Sequence, residues 1–190
     1  MADVNTYGTQ ARDMLRRIAY HEAGHVVAAI VLGHEVEQVI VDPGNPTGAK
    51  EGEHPRHFIT WTDGVFSEDI TRPLAENRAL FAFAGDAAEM YLIGGRPAGE
   101  LFEHGPDYGR AFSGAARIFP ENRERHAFLD QMEDRARTFV REPLRWRQIR
   151  AVAEALLEQH KLTGAEAAEL MARVNEDGCS IPAVPIPFPT

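Results

Sequence analysis

Three features of this sequence predict an α+β fold, predominantly helical, with a small β-sheet beside the first helix. Residues Ala11 to Leu32 contain no proline and place apolar side chains at helical spacing. Val36 to Val41 is rich in β-branched residues and is bounded by Gly33 and by Pro43-Gly44-Asn45-Pro46. Beyond residue 70 the chain is a succession of helical patterns separated by short Gly or Pro breaks. At 190 residues there is enough chain to bury one core, with room for an appendage.

Taken in order, residues 1–10 are small and polar without periodicity and are expected as a flexible N-terminal arm. Leu15, Ile18, Glu22, His25, Ala29 and Leu32 fall on one helical stripe, which Gly33 ends. Val36–Val41 and His57–Thr62 are expected as two strands joined by a polar loop. Ser67 or Thr71 is suited to cap the next helix, which carries Leu74, Leu80, Phe81, Phe83, Ala87, Ala88, Tyr91 and Leu92 to a stop at Gly94-Gly95. A shorter helix is expected from Asp107 to Phe119, ended by Pro120, then helices over 121–141 and 144–160 and a short one after Thr163-Gly164. Residues 11–174 would form one domain, and 175–190 a proline-rich extended tail, since the alternating prolines from Pro182 to Pro189 forbid a helix.

Composition narrows the function. Twenty Lys and Arg against 29 Asp and Glu leave a net charge of −9, which repels a phosphate backbone and argues against nucleic acid as partner. The arginines between Arg123 and Arg150 are interleaved with Glu121, Glu124, Asp130, Glu133, Asp134 and Glu142, the pattern of a solvated face laced with local ion pairs. Cys179 is the single cysteine, so neither an internal disulfide nor a cysteine metal cluster can form, which suits a reducing, cytoplasmic setting. The first residues lack the pattern of a secretory signal, and the longest apolar run, Val26 to Leu32, is too short to span a bilayer. Gly44-Asn45-Pro46-Thr47-Gly48-Ala49-Lys50 has the wrong spacing for a phosphate-binding loop, and Glu51 stands where such a loop holds Mg²⁺ with Ser or Thr. It reads as a turn.

The chemistry concentrates in His21-Glu22-Ala23-Gly24-His25. Histidines four residues apart lie about one helical turn apart, so both imidazoles project from one face and can share one Zn²⁺. Glu22 falls on the same side and is suited to take a proton from the water that attacks a peptide carbonyl. Apart from Tyr20, these are the only polar side chains between Ile18 and Leu32. Burying three such groups unpaired costs roughly 1–3 kcal/mol each, a cost that a metal relieves. Gly24 adds to the case, because a mid-helix glycine costs about 1 kcal/mol against alanine and marks a close approach. A third protein ligand is needed, for which Glu89, Glu103, His104 and Asp107 are the candidates by chemistry. Spacing does not choose among them, and Asp107 is equally suited to be the N-cap of the helix after Pro106.

Tyr20 to His25 resembles the active-site helix of the FtsH family, membrane-bound ATP-dependent zinc proteases, and the likeness covers most of the chain. Val36, Val39, Val41 and Pro43 follow the strand pattern of that family, and Ala84-Gly85-Asp86-Ala87-Ala88-Glu89 is similar to its Gly-Gly-Arg-x-Ala-Glu segment, with Asp86 where an arginine is usual. Gly105-Pro106-Asp107-Tyr108-Gly109-Arg110-Ala111 resembles the stretch whose aspartate is the third zinc ligand, with two residues fewer before the aspartate. Ala153 to Glu158 and Leu162 to Glu166 are similar to the last helices of the domain. The resemblance implies a zincin-like peptidase domain in which His21, His25 and Asp107 hold zinc and Glu22 is the general base. Without an ATPase module in these 190 residues, the expected substrates are unfolded or short polypeptides. The expected associates are further copies of the chain or a separate ATPase, and the alternative is a zinc-stabilised, inactive interaction module.

Overall fold

The computed structural model describes residues 4–42, 58–61, 70–95 and 105–176. Its first helix, α1 (Val4–Val31), ends in a Schellman arrangement. Gly33 takes φ 81°, its N–H donates to the Ile30 carbonyl at 3.1 Å, and the His34 N–H donates to the Ala29 carbonyl at 3.0 Å. The start of α1 corrects the expectation of a loose arm, because the backbone of residues 4–10 is helical and continuous with the rest of α1. Nothing between Val4 and Ala11 stops a helix that is already formed: Gly8 costs about 1 kcal/mol, and extending a helix avoids the cost of nucleating one.

The single stripe expected on α1 is also too narrow. From Ala19 to Ala29 every residue except His21 is buried. Two neighbours account for this, α2 (Arg72–Ile93) and α5 (Pro143–Gln159), which both pack against α1. Tyr20, 1% exposed, donates its hydroxyl hydrogen to Glu154 of α5 at 2.8 Å and stacks its ring near Trp146. Burial, reinforced by the Glu154 carboxylate, pushes the Tyr20 phenol up to about 12.

α2 has Pro73 in its first turn and ends at Gly94, φ 77°, whose N–H donates to the Met90 carbonyl. Thr71 stands at its N-cap position without a side-chain capping bond, and Ser67 lies outside the described residues. α3 (Pro106–Ile118) stops before Pro120, and α4 (Asn122–Arg141) then packs across α2. On α4 the interleaved charges form local pairs, Arg137 with Glu133 and with Asp134, while Arg135 reaches Glu76 of α2 at 3.2 Å. α6 (Gly164–Glu176) closes the described chain. The core runs along α1, α2, α4 and α5 through Val26, Val27, Phe83, Met132, Val140, Ile149, Val152 and Leu156.

The sheet has three antiparallel strands rather than the two expected. β1 (Val36–Ile40) is central, flanked by β2 (Phe58–Trp61) and by β3 (Lys161–Thr163). β3 is too short to carry a strand periodicity of its own. It forms because His160 turns the end of α5 through φ 63°, and the Val41 N–H then donates to the His160 carbonyl at 2.8 Å. Val39 and Leu162, paired across β1 and β3, are both buried. Thr163 and Glu166 then start α6 with a capping box: the Glu166 carboxylate accepts from the Thr163 N–H at 2.7 Å, and the Thr163 hydroxyl accepts from the Glu166 N–H at 3.2 Å.

Among the described residues no helix is long and apolar enough to cross a membrane. The stretch 44–50 expected as a turn, Cys179, and the tail beyond Glu176 lie outside the described residues.

Candidate metal centre

His21 and His25 stand one turn apart on α1, and the first turn of α3 brings Asp107 to both. The two Nε2 atoms are 3.0 Å apart, and Asp107 Oδ2 is 3.3 Å from each. These three donors form a nearly equilateral triangle. A tetrahedral shell with bonds of about 2.0 Å has edges of about 3.3 Å, so the triangle matches one face of such a shell in size as well as in chemistry. The group can hold a metal ion.

α3 delivers Asp107 because Gly105 takes the N-cap position and Pro106 opens the helix with its ring-fixed φ. Asp107 is therefore already inside the helix, 6% exposed, and the capping role weighed for it falls to Gly105. Its Oδ1 accepts from Arg110 Nη1 at 2.5 Å, one turn along the same helix. Of the other ligand candidates, Glu103 and His104 lie outside the described residues. Glu89 sits on the far side of His21, with Oε2 3.6 Å from Nδ1 and Oε1 accepting from Arg17 Nε at 2.6 Å. It does not join His25. Gly109 and Gly114, which weaken α3 by propensity, do not interrupt it.

Each histidine is held by its other nitrogen. His25 Nδ1 is 2.9 Å from the Phe81 carbonyl, which can only accept, so Nδ1 carries the hydrogen and Nε2 presents its lone pair to the site. His21 Nδ1 faces Asp86 Oδ1 at 3.4 Å and Glu89 Oε2, an arrangement that likewise turns Nε2 toward Asp107. The close fit of α2 on α1 depends on two glycines. A Cβ on Gly24 would strike the Ala84 carbonyl oxygen, and one on Gly85 would strike the His25 ring. Glu22 is buried beside this group at 5% exposure.

The electrostatics of the group favour positive charge. Burial by itself lowers the His21 pKa, but hydrogen bonds that the imidazole donates to Asp107 and Glu89 and the charges of Glu22 and Asp86 reverse this and raise it well above the usual histidine range. Burial raises the Asp107 pKa, yet the adjoining His25 and His21 hold it well below the usual carboxylate range. Asp86, where burial dominates, is pushed up to about 6. Carboxylates gathered this closely around two imidazoles favour positive charge among them.

Sequence reasoning passed over the positioning roles of Phe81, Gly85, Asp86 and Arg110. Gly85 carried a usable signal, since it is a mid-helix glycine like Gly24. Arg110 carried another, its i+3 spacing from Asp107. Compared with family models and with curated proteins, the chain matches none, so the reading of the site rests on its own geometry.

Proposed function

We propose that the protein is a zinc metallopeptidase with a zincin-like, FtsH-type peptidase domain. The observation that carries this reading is the triangle of His21 Nε2, His25 Nε2 and Asp107 Oδ2, built around a helix that also presents a buried Glu22. Two imidazoles and one carboxylate make a three-ligand set of the kind found at catalytic zinc, where a fourth position is left for water or substrate. Zinc held there would supply Lewis acidity to a peptide carbonyl and lower the pKa of water toward about 7.

The remaining work falls to the side chains. The Glu22 carboxylate accepts a proton from the attacking water and returns it to the leaving amine nitrogen. The Phe81 carbonyl keeps the His25 hydrogen on Nδ1, so that Nε2 stays a donor of electrons throughout. Asp86 and Glu89 perform the same service for His21. β2, an edge strand among the described residues, would receive an extended substrate by main-chain pairing. That mode suits unfolded or short polypeptides, and folded substrates would need a separate ATPase to unravel them.

The test is Glu22→Gln. The variant is expected to retain bound zinc while cleavage of an unfolded reporter falls by about 10²–10⁴-fold. Cleavage at the wild-type rate would refute the role of Glu22. A zinc-loaded wild-type protein that cuts no peptide in a diverse library would instead identify an interaction module stabilised by its metal.

A further inference from the structure

We infer that Arg110 is a positioning residue of the metal centre, which occupies one oxygen of Asp107 and thereby makes that carboxylate a ligand through its other oxygen alone. The inference rests on the metallopeptidase reading of the site. The two oxygens of Asp107 have separate neighbours: Oδ1 accepts from Arg110 Nη1 at 2.5 Å, whereas Oδ2 is 3.3 Å from both histidine Nε2 atoms.

This division has a local cause. Arg110 follows Asp107 by three residues, so α3 itself places the guanidinium beside the carboxylate. The Asp107 side chain is 8% exposed and that of Arg110 is 58% exposed, so the pair runs from the buried site to its rim. A charge-assisted bond of this length is strong for its kind, and a planar guanidinium directs its hydrogens at one oxygen in a fixed direction.

The chemical consequence concerns how many positions the carboxylate takes. A carboxylate with both oxygens free can chelate, and the second oxygen then takes the place that water needs. With Oδ1 engaged by Arg110, the rotation that would bring it inward breaks a short ionic hydrogen bond. Arg110 also draws negative charge away from the ligand, which leaves a bound cation more strongly polarising. A plain surface ion pair at i, i+3 would do neither of these things.

The experiment uses the full chain loaded with Co²⁺, whose visible absorption is several-fold stronger in a four-coordinate site than in a five-coordinate one. The wild type is expected to give the strong spectrum. Arg110→Ala is expected to lose intensity several-fold as both oxygens of Asp107 engage, and Arg110→Lys, which restores a cation at the same place, is expected to recover most of it. Thermal melts of both variants establish that they are folded. An Arg110→Ala spectrum identical to that of the wild type overturns the role of Arg110 while leaving the metal site standing. Failure of the wild type to take up Co²⁺ or Zn²⁺ overturns the metal reading itself and the role of Arg110 with it.

Discussion

The imidazole of His25 lies directly against Gly85: a methyl group at residue 85 would fall 2.7 Å from both Cδ2 and Cε1 of the ring and closer still to Nε2. Gly85→Ala therefore sets two effects against each other. Helix propensity in α2 improves by about 1 kcal/mol, but the ring is driven from its seat and from the Phe81 carbonyl. Stability is expected to change little, and zinc affinity to fall by at least about tenfold, the lower end of what loss of a ligand's supporting contact costs. Competition with a chromophoric chelator measures this. An unchanged affinity would mean that His25 does not bind through the nitrogen facing Gly85.

Gly24→Ala tests packing rather than ligation. Its methyl group would meet the Ala84 carbonyl oxygen and stand 2.8 Å from the Ala88 Cβ, so α1 and α2 must separate. Backbone does not yield as a flexible side chain does, and the expected cost is about 1–3 kcal/mol. For a chain of this size Tm should drop by roughly 2–4 °C per kcal/mol. Calorimetry with chelator present removes any contribution from metal, and a Tm equal to that of the wild type would contradict the observed closeness of the two helices.

Protons and metal compete for His21, and the sign follows from the direction of its shift. A histidine whose folded pKa is raised stabilises the metal-free protein fully below its unfolded value of about 6.5, and that stabilisation is lost as pH rises through the folded value. Asp107 acts oppositely: its depressed pKa contributes stability above the unfolded value, about 3.9, that is lost as pH falls through the folded one. Metal binding needs a neutral imidazole, so affinity is expected to increase with pH until the raised His21 value is passed. Near neutrality about one proton should be released per ion bound, measurable by titration calorimetry in buffers of different ionisation enthalpy. Zero release would show that His21 is already neutral there.

The start of α6 offers a graded pair of variants. Thr163→Ala removes the hydroxyl half of the capping box with Glu166, leaving the backbone N–H bond to the carboxylate, and is expected to cost about 1 kcal/mol. Gly164→Ala should cost more, because its methyl group would collide with the Val36 carbonyl of β1 and force α6 off the sheet. Urea unfolding of the two variants checks the order. A Gly164→Ala protein as stable as the wild type would show that α6 does not lie against Val36.

The sequence by itself determined what depends on neighbours along the chain. A proline-free stretch ending at Gly33 specified the motif helix, the four-residue spacing of His21 and His25 set two imidazoles one turn apart, and alternating charges on α4 specified its ion pairs. Periodicity and capping act over a few residues, and these features need nothing more. Only the tertiary structure decided what sits across from them. Asp107 reaches the histidines because α1 and α3 both pack on α2, and local pattern left it level with a capping residue. Tertiary packing likewise buries α1 from Ala19 to Ala29 except at His21, turns Gly85 into the seat of His25, and gives β3 a partner in β1 that three residues could not specify alone. Each of these contacts joins segments separated by a whole helix or more, and their energies come from surfaces that exist only once the chain has folded.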